Sequence, residues 1–251
     1  MSISVVIPAF NEEHRIDAAV RAVMGKLEAI GEEFEIVCVD DGSRDGTADR
    51  VARWAARDPR VRLVRLPENT GKGAAVREGV LAARGDLVFF LDADLSTPPA
   101  AIEDALPHLK DGADVVIGSR NREGARVDRP QGAVRRSLGR GFLVLARAVA
   151  DPKATDLTCG FKGFRRPAAE AIFKRTTLPG WAFDAETALI ARRLGLVRRE
   201  IPVHWRNDPD SRVRVAGAIA QSLLDLMRLA WRDARGFYRA SQEERDAAQQ
   251  R

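Results

Sequence analysis

The chain has 251 residues, 45% hydrophobic and 31% charged, a balance ordinary for a folded globular protein and a length that builds a core without covalent staples. Its two cysteines, Cys38 and Cys159, form no Cys-x-x-Cys pair, which argues against a disulfide framework or a zinc site. The net charge of +5, from 41 basic and 36 acidic side chains, permits an anionic partner without choosing one.

The predicted elements alternate through the first half. Strands are read at Ser2–Pro8 (SISVVIP), Glu35–Val39 (EIVCV), Val61–Leu66 (VRLVRL), Leu87–Leu91 (LVFFL) and Asp114–Ile117 (DVVI). Helices fall between them near 12–30, 46–57, 72–84 and 99–109; Pro98 and Pro99 suit the first turn of the last. Several strands are too apolar to keep a wet face, as expected where a parallel sheet is covered on both sides. Alternation of this kind gives an α/β fold with a mostly parallel sheet flanked by helices.

The second half is less regular. Residues 119–135 show little apolar periodicity and read as a long loop, a feature that in a compact domain is usually functional or disordered. Helical patterns follow near 136–149, 168–174 and 185–193, with one more strand at Val197–Val203. Residues 216–238 place Ile219, Leu223, Leu226 and Ala230 at helical spacing, and 239–251 form a polar tail. The expected organisation is one domain over 1–215, an amphipathic C-terminal helix and the tail. The N-terminus has no basic stretch before its short apolar run, so it is not a signal peptide. No apolar run approaches the roughly 18 residues of a membrane span.

Ligands of open α/β sheets bind beyond the carboxyl ends of the strands. Four polar clusters lie there: PAFNEE from Pro8, DDGS from Asp40, Asp92-Ala93-Asp94, and Gly118-Ser-Arg120. Each alone is a weak signal, and Asp-Asp-Gly-Ser reads equally well as a turn; their succession on consecutive strands is what points to a site. Asp92 and Asp94 would face opposite ways on a continuing strand, but a turn at Ala93 lets both lean toward one ligand. Hard carboxylate oxygens suit Mg²⁺ or Mn²⁺, completed by phosphate and water. Gly71-Lys72-Gly73 is either a turn opening a helix or a close backbone approach; it lacks the flanking residues of a P-loop.

The ordered series PAFNEE, VDDGSRDGT, NTGKGAAVREG, LDADLSTP, IGSR, DLTCGFKGFR and GWAFDAE resembles the family 2 glycosyltransferases, in the branch that makes polyprenyl-phosphate sugars. The resemblance spans about 3–215 and implies a GT-A fold with a nucleotide-sugar half (about 1–118) and an acceptor half (about 119–215). It also implies a divalent metal and inversion at the sugar's anomeric carbon. Carried over, it sets Pro8, Ala9 and Glu12 against the nucleoside, with Asp40 on the base and Asp41 beside it. Lys72 lies near charge, Asp92 at ribose or donor sugar, and Asp94 on the metal, with Asp92 its second ligand. Arg120 meets donor or acceptor phosphate. UDP-glucose is the favoured donor; UDP-linked N-acetylhexosamine, UDP-galactose and GDP-mannose stay open.

A phosphate acceptor removes the need for a general base, because a phosphate monoester with a second pKa of about 6 arrives mostly dianionic. The protein must instead hold two anions together, through positioning and charge. Residues 120–147 carry eight arginines against Glu123 and Asp128. Arg120, Arg135 and Lys162 are the expected acceptor-phosphate residues, with Arg136 next, and Asp94, Arg120, Arg135 and Lys162 form the expected catalytic set. Asp184 and Glu186 either touch the sugar, orient those cations, or stabilise a helix start. Trp181 either stacks on the sugar or fills the core. The basic stretch lacks interleaved aromatics, which argues against nucleic acid. Leu138, Phe142, Leu145 and Val149, and the 216–238 helix with Arg228, Arg232 and Arg235, suit an anionic lipid surface or packing on protein. The expected location is cytoplasmic, peripheral on the cytoplasmic face of a membrane. Two rival readings are transfer to a soluble or polysaccharide hydroxyl, which requires Asp184 or Glu186 as base, and a non-catalytic nucleotide-binding module.

Overall fold

The computed structural model describes residues 1–128, 133–206 and 215–239. Strands β1 (Ile3–Ala9), β2 (Phe34–Asp40), β3 (Val61–Arg65), β4 (Leu87–Leu91) and β5 (Val115–Ser119) alternate with helices α1 (Ile16–Ile30), α2 (Thr47–Arg57), α3 (Lys72–Ala82) and α4 (Ala100–Lys110), the order read from the sequence. β1 pairs in parallel with β2 and with β4, and β2 with β3. β4 and β5 are buried at every position. Helix layers on both faces leave such strands no solvent side, which is why they read as unbroken apolar runs.

The chain continues through β6 (Arg126–Asp128), α5 (Ala133–Val149), β7 (Phe161–Arg165), α6 (Arg166–Phe173), α7 (Phe183–Arg193), β8 (Arg198–Pro202), β9 (His204–Arg206) and α8 (Val215–Ala234). The main sheet has the order β3-β2-β1-β4-β7-β5-β8. β7 runs antiparallel between β4 and β5 and was not predicted. Its sequence, Phe-Lys-Gly-Phe-Arg, carries a lysine and a glycine where strand propensity is low, and distant partners on both edges hold it. The 119–135 segment, expected to be a loop, contains β6, which pairs in parallel with β9, and α5 begins within it. β7 and β8 share one sheet with the first five strands, so the two halves are continuous.

Two apolar layers sandwich this sheet. One joins α1, α2 and α4 to it through Ile16, Val20, Val51, Ile102 and Leu109. The other carries α3, α6, α7 and the inner faces of α5 and α8 through Val76, Ile172, Leu189, Ala146, Leu226 and Leu229. From β1 the chain steps outward through β2 and β3, then returns to place β4 on the other side of β1. The sheet's switch point therefore lies beyond the carboxyl ends of β1 and β4, where a crevice is expected. Among the described residues no helix is long and apolar enough to cross a membrane.

Candidate active site

The loops after β1, β2 and β4 meet at the switch point. Ala9 is level with Asp40 in the β1–β2 register, and its carbonyl accepts the Asp41 N–H at 2.9 Å. Asp40 is buried; its Oδ1 accepts the Ser43 N–H at 3.2 Å. Its Oδ2 has no hydrogen-bond partner, although the Arg65 guanidinium stands 3.5 Å away. A buried oxygen left open is costly and suits an incoming N–H donor such as a nucleobase edge. Asp41 is turned to a different task. Its carboxylate accepts the Thr70 N–H and hydroxyl, both at 2.8 Å, and the Gly71 N–H at 2.9 Å, fixing the turn before α3. Glu12 donates its N–H to the Thr47 hydroxyl at 2.8 Å, and its carboxylate receives Arg15 at 3.3 Å.

That turn explains the two glycines around Lys72. Gly71 has φ +108°, and a Cβ there would lie 2.6 Å from the Pro179 carbonyl; one on Gly73 would lie 2.6 Å from the Leu178 carbonyl. The close approach read from the sequence is therefore made by the chain's own 178–180 turn. The packing delivers Lys72 Nζ to Asp92 Oδ1 at 2.6 Å and sets it 5.0 Å from the centre of the Trp181 ring. Burial lowers the Lys72 pKa, but the charges of Asp92 and Asp184 outweigh it and hold the ammonium above its ordinary value. Trp181 is 43% exposed, so the core alternative does not hold.

Beyond β4 the chain does turn. The Leu95 N–H reaches the Asp92 carbonyl at 3.0 Å, Leu95 takes φ +50°, and the Ser96 N–H donates to Asp94 Oδ1 at 2.8 Å. Gly160 is required beside it, since a Cβ there would sit 2.1 Å from Asp92 Oδ2. Burial, then the neighbouring charge of Asp92, raises the Asp94 carboxyl above the usual range. Two acids under such mutual pressure favour a cation between them and the substrate. Among the described residues no third His, Cys, Asp or Glu completes a protein-only ligand cluster. The pair fits Mg²⁺ or Mn²⁺, which keep several ligands from phosphate and water.

At the end of β5, Arg120 is gripped by Asp156, whose oxygens receive Nε at 2.6 Å and Nη2 at 2.8 Å; Nη2 also donates to the Thr158 hydroxyl at 2.8 Å. The guanidinium stands 5.4 Å from the centre of the Trp205 ring. Burial pushes the Asp156 carboxyl up, but the bonds and charge of Arg120 outweigh it and hold the group below its usual range. The sequence reading gave Asp156 no role, although it opens the DLTCGFKGFR segment; one acid within a basic region was the available signal.

Lys162 projects from β7 into the interior, only 2% exposed. It donates to the Cys159 carbonyl at 3.0 Å and to Asp184 Oδ1. Burial raises the Asp184 carboxyl, against the pull of Lys162 and Lys72. Of the expected roles for Asp184, orienting Lys162 is the one its geometry matches. Glu186 is fully enclosed. Its carboxylate accepts the Thr177 and Leu178 N–H groups at 2.9 and 2.8 Å and the Tyr238 hydroxyl at 2.6 Å, which fixes the 177–178 turn to the segment after α8. Arg135 and Arg136 belong to α5, but their side chains lie outside the described residues.

The mixed α/β sheet, with its switch point between β1 and β4, has the GT-A fold. Glucosyl-3-phosphoglycerate synthase from Mycobacterium tuberculosis in complex with uridine diphosphate has the same fold, with a TM-score of 0.70 at 23% identity over 92% of this chain and 80% of that one. A second structure of that enzyme, in complex with Mn²⁺, uridine diphosphate and glucosyl-3-phosphoglycerate, gives 0.69. The family model "Glycosyl transferase family 2" matches residues 4–173. The dolichyl-phosphate beta-glucosyltransferase ALG5C of Trichomonas vaginalis is 35% identical over 90% of this chain and 69% of its own length. The Saccharomyces cerevisiae dolichyl-phosphate beta-glucosyltransferase is 31% identical over 94% and 76%. The chain belongs to glycosyltransferase family 2 and is a nucleotide-sugar-dependent hexosyltransferase.

Proposed function

We propose that this enzyme transfers glucose from UDP-glucose to a polyprenyl phosphate, inverting the anomeric carbon, with Mg²⁺ or Mn²⁺ at Asp94 and Asp92. The names of the relatives at 30–35% identity support the sugar and the acceptor. The observation that carries the choice of acceptor is the state of two carboxylates. A hydroxyl acceptor needs a general base, yet Asp184 is committed to buried Lys162 and Glu186 to the 177–178 turn. A phosphate acceptor arrives as an anion and needs no such base, its second pKa being about 6.

In this reading Asp40 Oδ2 receives a base N–H, and Lys72, tethered by Asp92, faces charge on the donor. Trp181 offers its ring to the sugar. Arg120 is pre-oriented by Asp156 and Thr158, and its Nη1 is free of hydrogen bonds among the described residues. It meets a phosphate oxygen without losing much side-chain freedom at the moment of binding. Arg135 and Arg136 are the further candidates for the acceptor phosphate. The metal, when bound, neutralises charge developing on the diphosphate leaving group.

The lipid is reached through the outer face of α8. Leu224, Met227 and Trp231 are exposed there at helical spacing, and Val144 and Leu145 of α5 are exposed as well. The Arg235 guanidinium lies 4.1 Å from the centre of the Trp231 ring. Aromatic, aliphatic and cationic groups on one face suit an anionic membrane surface. The test is a matrix of radiolabelled nucleotide sugars against vesicles with and without polyprenyl phosphate, scored by organic extraction. Label should enter lipid from UDP-glucose only when polyprenyl phosphate and a divalent metal are both present. Label reaching a water-soluble hydroxyl acceptor instead would reject the reading.

A further inference from the structure

On the opposite layer of the sheet, α1 and α2 lie side by side and enclose a groove of about 410 Å³ lined by Asp17, Arg21, Arg50, Arg53, Trp54 and Arg57. Four guanidiniums face one carboxylate. That carboxylate is already used: Asp17 accepts Arg50 Nη1 at 2.6 Å and the Trp54 indole N–H at 2.9 Å, which holds the indole and one guanidinium in place. Arg21 lies 5.9 Å from the centre of the same ring. Arg21, Arg53 and Arg57 make no ion pair among the described residues. Three guanidiniums beyond the one that Asp17 binds directly make the groove strongly positive, and a concentration of cations of this kind attracts anions.

We propose that this groove is a second anion site, separate from the catalytic crevice, and that it binds a small, multiply charged phosphate compound from solution. The volume falls in the ~300–1,000 Å³ range of small-molecule pockets, and guanidinium forks match phosphate oxygens. The choice of a dissolved ligand over a lipid headgroup rests on the membrane face proposed above. α1 and α2 pack on the sheet layer opposite to α5 and α8, and one flat bilayer cannot meet both. The anion site itself does not depend on the acceptor assignment.

Calorimetric titration of the full chain with inorganic pyrophosphate, in EDTA so that no metal assists at the acid pair, tests it. Arg53 and Arg57 are exposed and have no place in the crevice, so the R53E/R57E variant should keep its melting temperature and its basal sugar transfer. We expect it to bind pyrophosphate at least tenfold more weakly than the wild type, and wild-type binding to weaken as salt rises. Equal affinity in the two proteins overturns the site. A parallel arm uses phosphatidylglycerol vesicles without polyprenyl phosphate, where both proteins should co-sediment equally. Loss of vesicle binding in R53E/R57E would give these arginines to a membrane surface and overturn the dissolved-ligand assignment. Failure of glucose transfer in the matrix above would leave either result readable.

Discussion

Asp92 and Asp94 are one residue apart and have different surroundings. Asp92 is tethered by Lys72 and pressed against Gly160; Asp94 accepts the Ser96 N–H on Oδ1, and burial raises its carboxyl above the usual range. The Asp94→Asn variant should lose transfer by about a hundredfold or more, the scale for removing one pre-set electrostatic group. Its melting temperature should not fall, since an unfavourable buried charge has gone; near-normal turnover in steady-state assays would remove the metal role from this residue. Asp156 acts in the other direction. Its folded pKa lies below its unfolded value of about 3.9, so the stability it contributes is full above that value and is lost as pH falls through the folded one. Asp156→Asn should flatten this acid limb in chemical denaturation at pH 3 to 7 and cost about 1.5–3 kcal/mol at neutral pH, the worth of hydrogen bonds to a charged partner. The sequence exposed which acids sit at strand ends, because strand ends are readable from apolar runs. It did not expose that Asp41 serves the 70–71 turn, or that Asp156 holds Arg120, because hydrogen-bond partners far along the chain leave no local pattern.

At the scale of elements, the first five strands and the helices between them were legible. Buried parallel strands and amphipathic helices each write their period into the sequence. β7 was not, since two neighbours distant in sequence, rather than its own residues, make it a strand. Its insertion sets Lys162 level with Phe90 in the β4 register, two residues before Asp92. α8 has two roles on two faces. Leu226 and Leu229 enter the core, while Leu224, Met227 and Trp231 stand outward. Removing the whole helix would confuse these roles, and changing the outer face separates them. L224E/M227E/W231E should keep its circular dichroism and thermal transition yet sediment less with anionic vesicles. Unchanged co-sedimentation would assign the stripe to something other than lipid.

Across the whole molecule, the sheet order gathers the candidate site at one end of the strands. The switch point between β1 and β4 gathers Asp40, Lys72, Asp92 and Asp94, and β5, β7 and α7 add Arg120, Lys162 and Asp184 from the neighbouring edge. Cations and acids stand in close pairs there, Lys72 with Asp92, Arg120 with Asp156 and Lys162 with Asp184, as the proposed pair of anionic reactants would need. On the proposed reading, the α5–α8 layer faces lipid and the α1–α2 groove faces solvent. On the proposed reading, a divalent ion at Asp94 meets the donor diphosphate. Crystals grown with UDP-glucose and Mn²⁺, with data collected at the manganese edge, test it most directly. The anomalous peak should lie within direct coordinating distance of an Asp94 oxygen, with diphosphate oxygens on the same ion. A manganese ion and diphosphate bound away from that carboxylate would contradict the account.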